Sequence, residues 1–295
     1  MTAIAAPQIV VPARRRPFRS FLRRDRALTL TLSFLAALIV ATLIGPLVWR
    51  VQPDAINLGA VLQAPSLGHP MGTDDTGRDV LARVLAGGRT SILAGLTIAL
   101  IGAVAGCIAA LLAGSMRGWV DTLFTWLTNS ILCFPAILLA MAIAMALQPG
   151  VTAVVIGLSL HSFPWYMRTL RGEVMRLYGQ DFVRSTVALG AHPARVLFRH
   201  VFPHLVPIMI LQMAAVFGAA VLSLAALGYL GLGAQPPTAE WGEMITDGQQ
   251  FFLTGQWWIA GFPGLGLLLA VSLTTMIADR AREVLDPRGE FIQAK

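Results

Sequence analysis

The sequence predicts an all-α integral membrane protein with six transmembrane helices and with both termini in the cytoplasm. Hydrophobic residues make up 56% of the 295 residues and charged residues only 13%, whereas soluble domains carry about 25% charged residues. The mean hydropathy is +0.70. The apolar residues form continuous runs of the length that crosses a bilayer, roughly 17–25 residues. A transmembrane β-barrel would instead show short segments of alternating polarity.

The first predicted helix follows a basic tail. Residues 1–26 contain seven arginines and one acid, Asp25, and the apolar run Ala27–Val48 comes next. This run is too long for the apolar region of a typical signal peptide, and it lacks a clear small-residue cleavage site. We therefore predict an uncleaved first helix with a cytoplasmic N-terminus. An external segment follows it, so that residues 27–89 form one unit.

The other five helices form the predicted core domain, residues 90–280, and a cytoplasmic tail, residues 281–295, follows it. Their predicted positions are 90–115, 120–147, 151–168, 206–230 and 258–279. Pro135 lies inside the third of the six helices, where neighbouring helices can satisfy the freed backbone groups. Gly102 and Gly106 are four residues apart, a spacing that lets another helix approach closely.

The distribution of basic residues supports this topology. Eighteen of the 22 basic residues fall in segments assigned to the cytoplasm, and four fall outside (Arg50, Arg78, Arg83 and Arg89). Helical membrane proteins carry an excess of Lys and Arg in their cytoplasmic segments. Topology therefore explains the net charge of +7. We expect the chain to contact membrane lipid, and we predict no nucleic-acid partner.

The predicted spans contain no Asp, Glu, Lys or Arg except at their ends, where Asp121 and Asp279 lie. Ion-coupled transporters usually carry such groups within the bilayer, so a secondary transporter is a less favoured alternative. The Walker A phosphate-binding motif is also missing, and the only lysine is Lys295. If ATP drives the protein, partner subunits must bind the ATP and its Mg²⁺. No cofactor is predicted for this chain.

The sequence offers no catalytic or metal-binding constellation. Ser159 and His161 are the nucleophile and base that a membrane hydrolase would need, but their spacing points them to different helix faces. His200 and His204 are four residues apart without a third ligand. A membrane enzyme is therefore a weaker alternative, and no metal site is predicted.

The segment between the fourth and fifth predicted helices, residues 168–205, is long for so compact a membrane protein. Apolar residues alternate with arginines along it, and Gly190 and Pro203 interrupt it. This amphipathic pattern is compatible with a helix that lies on the lipid headgroups. It is equally compatible with a helix that contacts a partner protein.

Four motifs in order give the chain a resemblance to a known family. The stretch Asp181–Pro203, with Gly190 near its centre, resembles the cytoplasmic EAA loop of ABC-importer permeases. The stretches His69–Val80, Tyr229–Gly242 and Leu285–Arg288 are similar to segments of the dipeptide/oligopeptide/nickel permease family. Within that family, the chain is most similar to the second of the two permeases that such systems pair.

The resemblance implies the type I ABC-importer permease fold, in the bacterial cytoplasmic (inner) membrane. It also implies a heterodimeric pore with a second permease subunit, two ATP-binding subunits and an extracytoplasmic solute-binding protein. The expected solutes are peptides or peptide-like molecules, with import of nickel or a metal chelate as the alternative. ATP hydrolysis is expected in the partner subunits, so this chain is not expected to be an enzyme.

The same resemblance assigns candidate functional residues. The expected ATPase-coupling loop contains Phe182, Val183, Arg184, Ser185, Thr186, Ala188, Leu189, Gly190, Ala191, Phe198 and Pro203. The family pattern has Glu-Ala-Ala where this chain has Arg184-Ser185-Thr186, which reverses the charge expected to help dock the ATPase. At the external face, the residues expected to help dock the solute-binding protein are Glu240, Trp241, Glu243 and Asp247.

Overall fold

The computed structural model describes residues 26–116 and 118–285, and these form helices and connecting loops without a β-strand. The helices are α1 Arg26–Val48, α2 Val80–Met116, α3 Trp119–Leu132, α4 Ala136–Leu147, α5 Val151–Tyr178, α6 Asp181–Ala188, α7 Pro193–Tyr229, α8 Trp241–Gln249 and α9 Trp258–Leu285. Near its start, α7 contains a π-helical turn, Val196–Val201. The predicted all-α class is confirmed. The motif Leu285–Arg288 and most of both predicted tails lie outside the described residues.

Four helices, α1, α2, α7 and α9, are long and apolar enough to cross a membrane. The helices α3 and α4 provide a fifth crossing if the pair counts as one span, although they meet at an angle of 89°. At 28 residues, α5 is also long enough to cross, but polar side chains lower its hydropathy. The six-helix count and the cytoplasmic placement of both termini stay predictions.

The prediction of one helix over residues 120–147 is wrong, because the chain breaks between α3 and α4. Pro135 lies in extended conformation immediately before α4. Proline has no backbone N–H to donate, and it disfavours helical geometry in the residue before it, here Phe134. Prolines inside α1, α5, α7 and α9 interrupt none of those helices (Pro46, Pro164, Pro203, Pro207 and Pro263), although Pro203 was expected to interrupt its segment.

The helix α2 lies at the centre of the bundle and packs most extensively against α5, with α7 and α1 on other sides. A Cβ atom at Gly102 would lie 2.1 Å from the Oγ of Ser162, and one at Gly106 would lie 2.5 Å from the Cβ of Tyr166. Since real Cβ atoms do not approach so closely, both positions need glycine. The predicted close helix approach at these two residues is confirmed.

Three helices extend further than their apolar runs. The helix α2 begins ten residues before the predicted position, α5 continues to Tyr178, and α7 begins at Pro193. The predicted 168–205 loop is therefore largely helical, and only residues 179–192 lie between two long helices. Arg83, predicted to lie in an external loop, is in the first turns of α2 and is 2% exposed.

Candidate functional site

The coupling segment, defined here as residues 181–203, contains a short helix that ends on a glycine turn. Gly190 follows α6 with φ of +79°, a left-handed conformation that favours glycine. The backbone N–H of Ala191 donates to the carbonyl of Thr186 (3.3 Å), and that of Gly190 donates to the carbonyl of Val187 (2.9 Å). These two bonds form a Schellman motif, which ends the helix and reverses the chain.

A buried valine holds α6 against the two long helices on either side of it. Val183 is fully buried in an apolar cluster that α5 and α7 supply (Leu170, Val174, Leu177, Val196, Val201 and Leu205). In addition, the ring of Phe182 lies 5.6 Å from the ring of His204 on α7. A displacement of α6 would therefore be passed directly to both α5 and α7.

The outer surface of the coupling segment is apolar and exposed. Leu189 is 88% exposed, Phe198 is 66% exposed, and Phe182 and Val187 are exposed as well. Of the other predicted coupling residues, five are exposed and two are half-buried (Arg184, Ser185, Ala188, Gly190 and Pro203; Thr186 and Ala191). A cluster of large exposed apolar side chains marks an interaction surface.

Arginines surround this apolar surface. Arg184, Arg195 and Arg199 are exposed, and none of them forms an ion pair with any residue that the structure describes. Arg171, at the same end of α5, differs from them because its guanidinium binds both carboxylate oxygens of Asp121 on α3. This bidentate pair attaches α3 to the part of α5 that leads into α6.

At the other end of the bundle, the motif His69–Val80 folds into a closed turn. One carboxylate oxygen of Asp74 accepts hydrogen bonds from the backbone N–H groups of Thr76 and Arg78, both at 2.9 Å. Its other oxygen accepts from the Nε of Arg78 at 2.6 Å. Gly77 has φ of +74°, and a Cβ atom there would lie 1.9 Å from the carbonyl oxygen of Asn57. The glycine and the aspartate are therefore both needed to form the turn.

Asp79 ends this motif and starts α2. Its Oδ1 accepts from the backbone N–H of Ala82 at 2.8 Å and from the indole N–H of Trp49 at 3.2 Å. The Nδ1 of His69 lies 2.8 Å from its Oδ2. The side chain is thus an N-terminal cap for α2, and it also ties the end of α1 to the motif.

Arg83 joins the motif to two distant parts of the chain. Its guanidinium lies 3.3 Å from a carboxylate oxygen of Asp54, 3.3 Å from one of Glu243 and 3.8 Å from one of Asp74. It also donates to the carbonyl of Pro237 at 3.4 Å. Because Arg83 is almost fully buried, this charge depends on those partners for its stability.

Glu240 is a second link between the distant segments. It is fully buried, and its carboxylate accepts from the hydroxyl of Ser91 on α2 at 2.8 Å. The same carboxylate caps α8 by accepting from the backbone N–H groups of Gly242 and Glu243. The indole of Trp241 donates to the carbonyl of Val84 at 3.0 Å. The segments around Arg83 and Glu240, about 150 residues apart, are therefore bonded to each other.

The residues predicted to help dock the solute-binding protein are mostly buried, and their bonds are to other parts of this chain. Glu240, Trp241 and Glu243 face the interior of the chain, and only Asp247 is partly exposed. Burial raises the pKa of Glu243 to about 7, with Arg83 opposing this effect. Docking of the solute-binding protein stays a prediction. We refer to the buried residues Asp74, Asp79, Arg83, Glu240 and Glu243 as the charge cluster.

The order of long apolar helices around an exposed coupling segment defines a class, the membrane-spanning subunits of ABC importers. A chain in an inward-facing structure of the MetNI methionine ABC transporter has the same fold. It aligns with a TM-score of 0.56 and 17% identity, over 69% of this chain and 96% of that chain. At this level of identity, the likeness describes the fold alone.

Sequence comparison identifies the family. Residues 102–290 match the model of the binding-protein-dependent transport system inner membrane component, and the chain belongs to this family of ABC transporter permeases. A putative peptide transport system permease protein of Brucella abortus is 34% identical over 98% of this chain and 95% of its own length. The glutathione transport system permease protein GsiD of Escherichia coli is 35% identical, over 97% and 96% respectively. The predicted family is confirmed.

Proposed function

We propose that this chain forms half of a heterodimeric pore that imports peptides or peptide-like solutes across the bacterial cytoplasmic membrane. A second permease subunit forms the other half, and an extracytoplasmic binding protein delivers the solute. Two partner subunits bind and hydrolyse ATP with Mg²⁺. Relatives named as peptide, D,D-dipeptide and glutathione permeases support the choice of solute.

The observation that carries this proposal is the exposed apolar surface of the coupling segment. Leu189 and Phe198 are large side chains that a protein facing only water would bury. In the proposed mechanism, the ATPase subunits bind this surface and close on ATP. Val183 transmits the resulting displacement to α5 and α7, whose movement opens and closes the pore between two states.

The turn at Gly190 makes the connection between α6 and α7 rigid. Because the Schellman bonds at Gly190 fix the angle between α6 and the chain that leads into α7, a push on α6 moves the helices instead of unwinding the turn. The attachment of Arg171 to Asp121 extends the moving unit to α3. The proposal thus assigns movement to the side of the bundle that carries α3, α5 and α7.

Uptake by the complete complex tests this function. The two permeases and the ATPase subunits are reconstituted in liposomes with the binding protein, and entry of a labelled tripeptide is measured. We expect uptake that requires both ATP and the binding protein. A nickel chelate offered in the same assay distinguishes import of a metal chelate from import of peptides. Uptake driven by an ion gradient without ATP, or preference for the chelate, would contradict the proposal.

A further inference from the structure

The exposed side of the coupling segment carries apolar and charged side chains on separate edges. On α6, Val183 is fully buried and marks the inner face. Since successive residues of a helix are about 100° apart, Phe182 and Leu189 lie along one edge of the outer face, and Arg184 lies along the other. Two small exposed side chains lie between these edges (Ser185 and Ala188). A protein that binds α6 therefore meets apolar groups on one side and a guanidinium on the other.

The start of α7 presents a similar arrangement. Arg195 and Arg199 are four residues apart, so they lie on the same side of the helix, and both are exposed. Phe198, next to Arg199 in the chain, is exposed as well, whereas Val196 and Val201 are buried in the apolar cluster that also contains Val183. Both arms of the coupling segment thus combine a large exposed apolar side chain with exposed arginine.

These three arginines differ from two neighbouring arginines of α5, which have acidic partners within the chain. Arg171 binds both carboxylate oxygens of Asp121, and the Nε of Arg176 donates to a carboxylate oxygen of Glu173 at 2.8 Å. The only acid in the coupling segment is Asp181, in the first turn of α6, where the helix dipole favours a negative charge. With three arginines and one acid, the segment has a net charge of +2 when its histidines are neutral. It therefore lacks most of the carboxylates that would balance its arginines.

We propose that the ATPase subunit that binds this chain surrounds its apolar docking site with carboxylates, at least one of which pairs with Arg184. Docking takes Leu189 out of water, and it also takes the guanidinium at the other edge of the same face out of water. A desolvated charge without a partner is strongly unfavourable, whereas a guanidinium that forms two parallel hydrogen bonds with a carboxylate is stable. Arg195 and Arg199 extend this requirement to the second arm. The inference rests on the proposed function and adds the charge of the ATPase site to it.

Anionic lipid headgroups are the competing partner for these arginines, and the length of α5 disfavours them. This helix begins beside the end of α7, because the backbone N–H of Gly150 donates to the carbonyl of Leu232 at 3.2 Å. It is 28 residues long, or about 42 Å at a rise of about 1.5 Å per residue, and the hydrocarbon core is only about 30 Å thick. The helix α6 therefore lies beyond the hydrocarbon. A helix that lies on a membrane turns its apolar face to the lipid, but the buried face of α6 lies on α5 and α7.

A single introduced lysine tests for the carboxylate. The only lysine of the chain is Lys295, so Arg184→Lys in a Lys295→Arg background leaves position 184 with the only lysine side chain. The complete complex in liposomes is treated with a water-soluble carbodiimide, which joins an amine to a carboxylate in direct contact with it. Mass spectrometry then identifies the linked peptides. We expect an amide bond between position 184 and an aspartate or glutamate of an ATPase subunit.

A matched control places the lysine at the other end of the bundle. Arg50→Lys in the same background is exposed after α1 and should give no link to an ATPase subunit. Links from both positions, or from neither, would overturn the inference, and so would a link from position 184 that reaches only Asp181 of its own chain. ATP-dependent tripeptide import in the same liposomes reports separately on the proposed function. A missing cross-link in an importing complex would therefore contradict the inference alone.

Charge reversal is the second test. Arg184→Glu should weaken binding of the ATPase subunits to the permease about tenfold at low salt, because two carboxylates then face each other, and Arg184→Gln should weaken it less. Added salt should narrow the difference between Arg184→Glu and wild type. Replacement of the cross-linked carboxylate by arginine should restore binding to Arg184→Glu. Equal binding by Arg184→Glu and wild type, or no restoration, would contradict the inference.

The composition of the liposomes distinguishes a protein partner from lipid. Binding of the ATPase subunits is measured in phosphatidylcholine alone and in phosphatidylcholine with phosphatidylglycerol. If Arg184 pairs with a carboxylate of the ATPase subunit, Arg184→Glu weakens binding equally in both membranes. An effect that requires phosphatidylglycerol would assign Arg184 to the anionic headgroups and overturn the inference.

Discussion

At the end of the bundle where α2 begins, the charge cluster is sealed inside the protein, while at the opposite end the coupling segment displays its apolar residues to the outside. Arg83 and Glu240 have several partners each within the chain. Leu189 and Arg184 have exposed side chains, and Arg184 has no ion pair among the described residues. Both regions contain sequence motifs of the same family.

The difference shows that motifs of one family can serve either internal stability or contact with another protein. Motif residues in the charge cluster hold distant loops together, so their replacement should reduce stability. Under the proposed function, motif residues in the coupling segment contact a partner protein, so their replacement should leave stability unchanged and reduce transport. A charge-cluster variant that is as stable as the wild type, or a coupling-segment variant that unfolds, would contradict this assignment.

The largest expected effect on stability is that of Arg83→Leu. It leaves the carboxylates of Asp74 and Glu243 buried without their shared cation, and breaking a buried pair in this way costs about 3–5 kcal/mol. Thermal unfolding of the protein in detergent measures the change. Arg50→Leu, at an exposed arginine after α1, is the control and should behave as wild type. Equal stability of the two variants would contradict the structural role of Arg83.

Glu240→Ala should have the next largest effect, about 2–3 kcal/mol. It removes the acceptor for the hydroxyl of Ser91 and for two N–H groups at the start of α8, all in a buried site. The same unfolding measurement applies, with Asp75→Ala as the control because Asp75 is exposed beside the cluster. A normal unfolding temperature for Glu240→Ala would mean that the cap is dispensable.

The pH dependence of stability should be a smaller effect that Glu243 dominates. Because burial raises the pKa of Glu243 to about 7, the folded protein holds this proton more tightly than the unfolded chain does. The resulting stabilisation is complete below about pH 4.5 and is lost as the pH rises through 7. We expect the unfolding temperature to fall between pH 5 and pH 8, and to fall less in Glu243→Gln.

Asp75→Asn is the control for that experiment, since it removes the same charge from an exposed position. It should retain the pH dependence of the wild type. A stability that rises with pH through 7, or an unchanged profile in Glu243→Gln, would show that Arg83 stabilises the ionised carboxylate more than burial opposes it.

The smallest expected change in stability, within about 0.5 kcal/mol, is that of Leu189→Ser. The side chain is 88% exposed and packs against nothing that its loss would leave open. Binding of the ATPase subunits to the permease should nevertheless weaken, as measured by co-purification. Leu253→Ser makes the same change at a fully exposed leucine at the other end of the bundle. Equal binding by both variants would remove Leu189 from the interface.

The sequence was sufficient for features that depend on neighbouring residues. Apolar runs located the long helices, the spacing of Gly102 and Gly106 predicted the close approach of another helix, and Gly190 was expected to interrupt the segment in which it ends α6. Each of these signals lies within a few residues of chain. Helix ends were less accessible, because α2 and α5 continue into polar sequence where hydropathy no longer marks them.

The charge cluster could not be predicted, because its partners are far apart in the chain. Arg83 and Glu243 are 160 residues apart, and nothing in the sequence pairs them. The first external motif carries three aspartates and Arg78, and the second carries only Glu240, so their composition does not indicate that they meet. The break at Pro135 was equally inaccessible, because Pro164 in α5 has the same chemistry and lies within a continuous helix.

The central claim is that the coupling segment transmits ATP hydrolysis to the pore, and the most direct test is the number of tripeptides imported per ATP in Gly190→Pro. Proline cannot adopt the φ of +79° at this position and removes the N–H that bonds Val187. Gly255→Pro, at a glycine with φ of +98° at the opposite end, is the matched control. The account predicts a normally inserted Gly190→Pro permease whose complex hydrolyses ATP with little import, beside a Gly255→Pro control with the wild-type ratio. A wild-type ratio of import to hydrolysis in Gly190→Pro would contradict it.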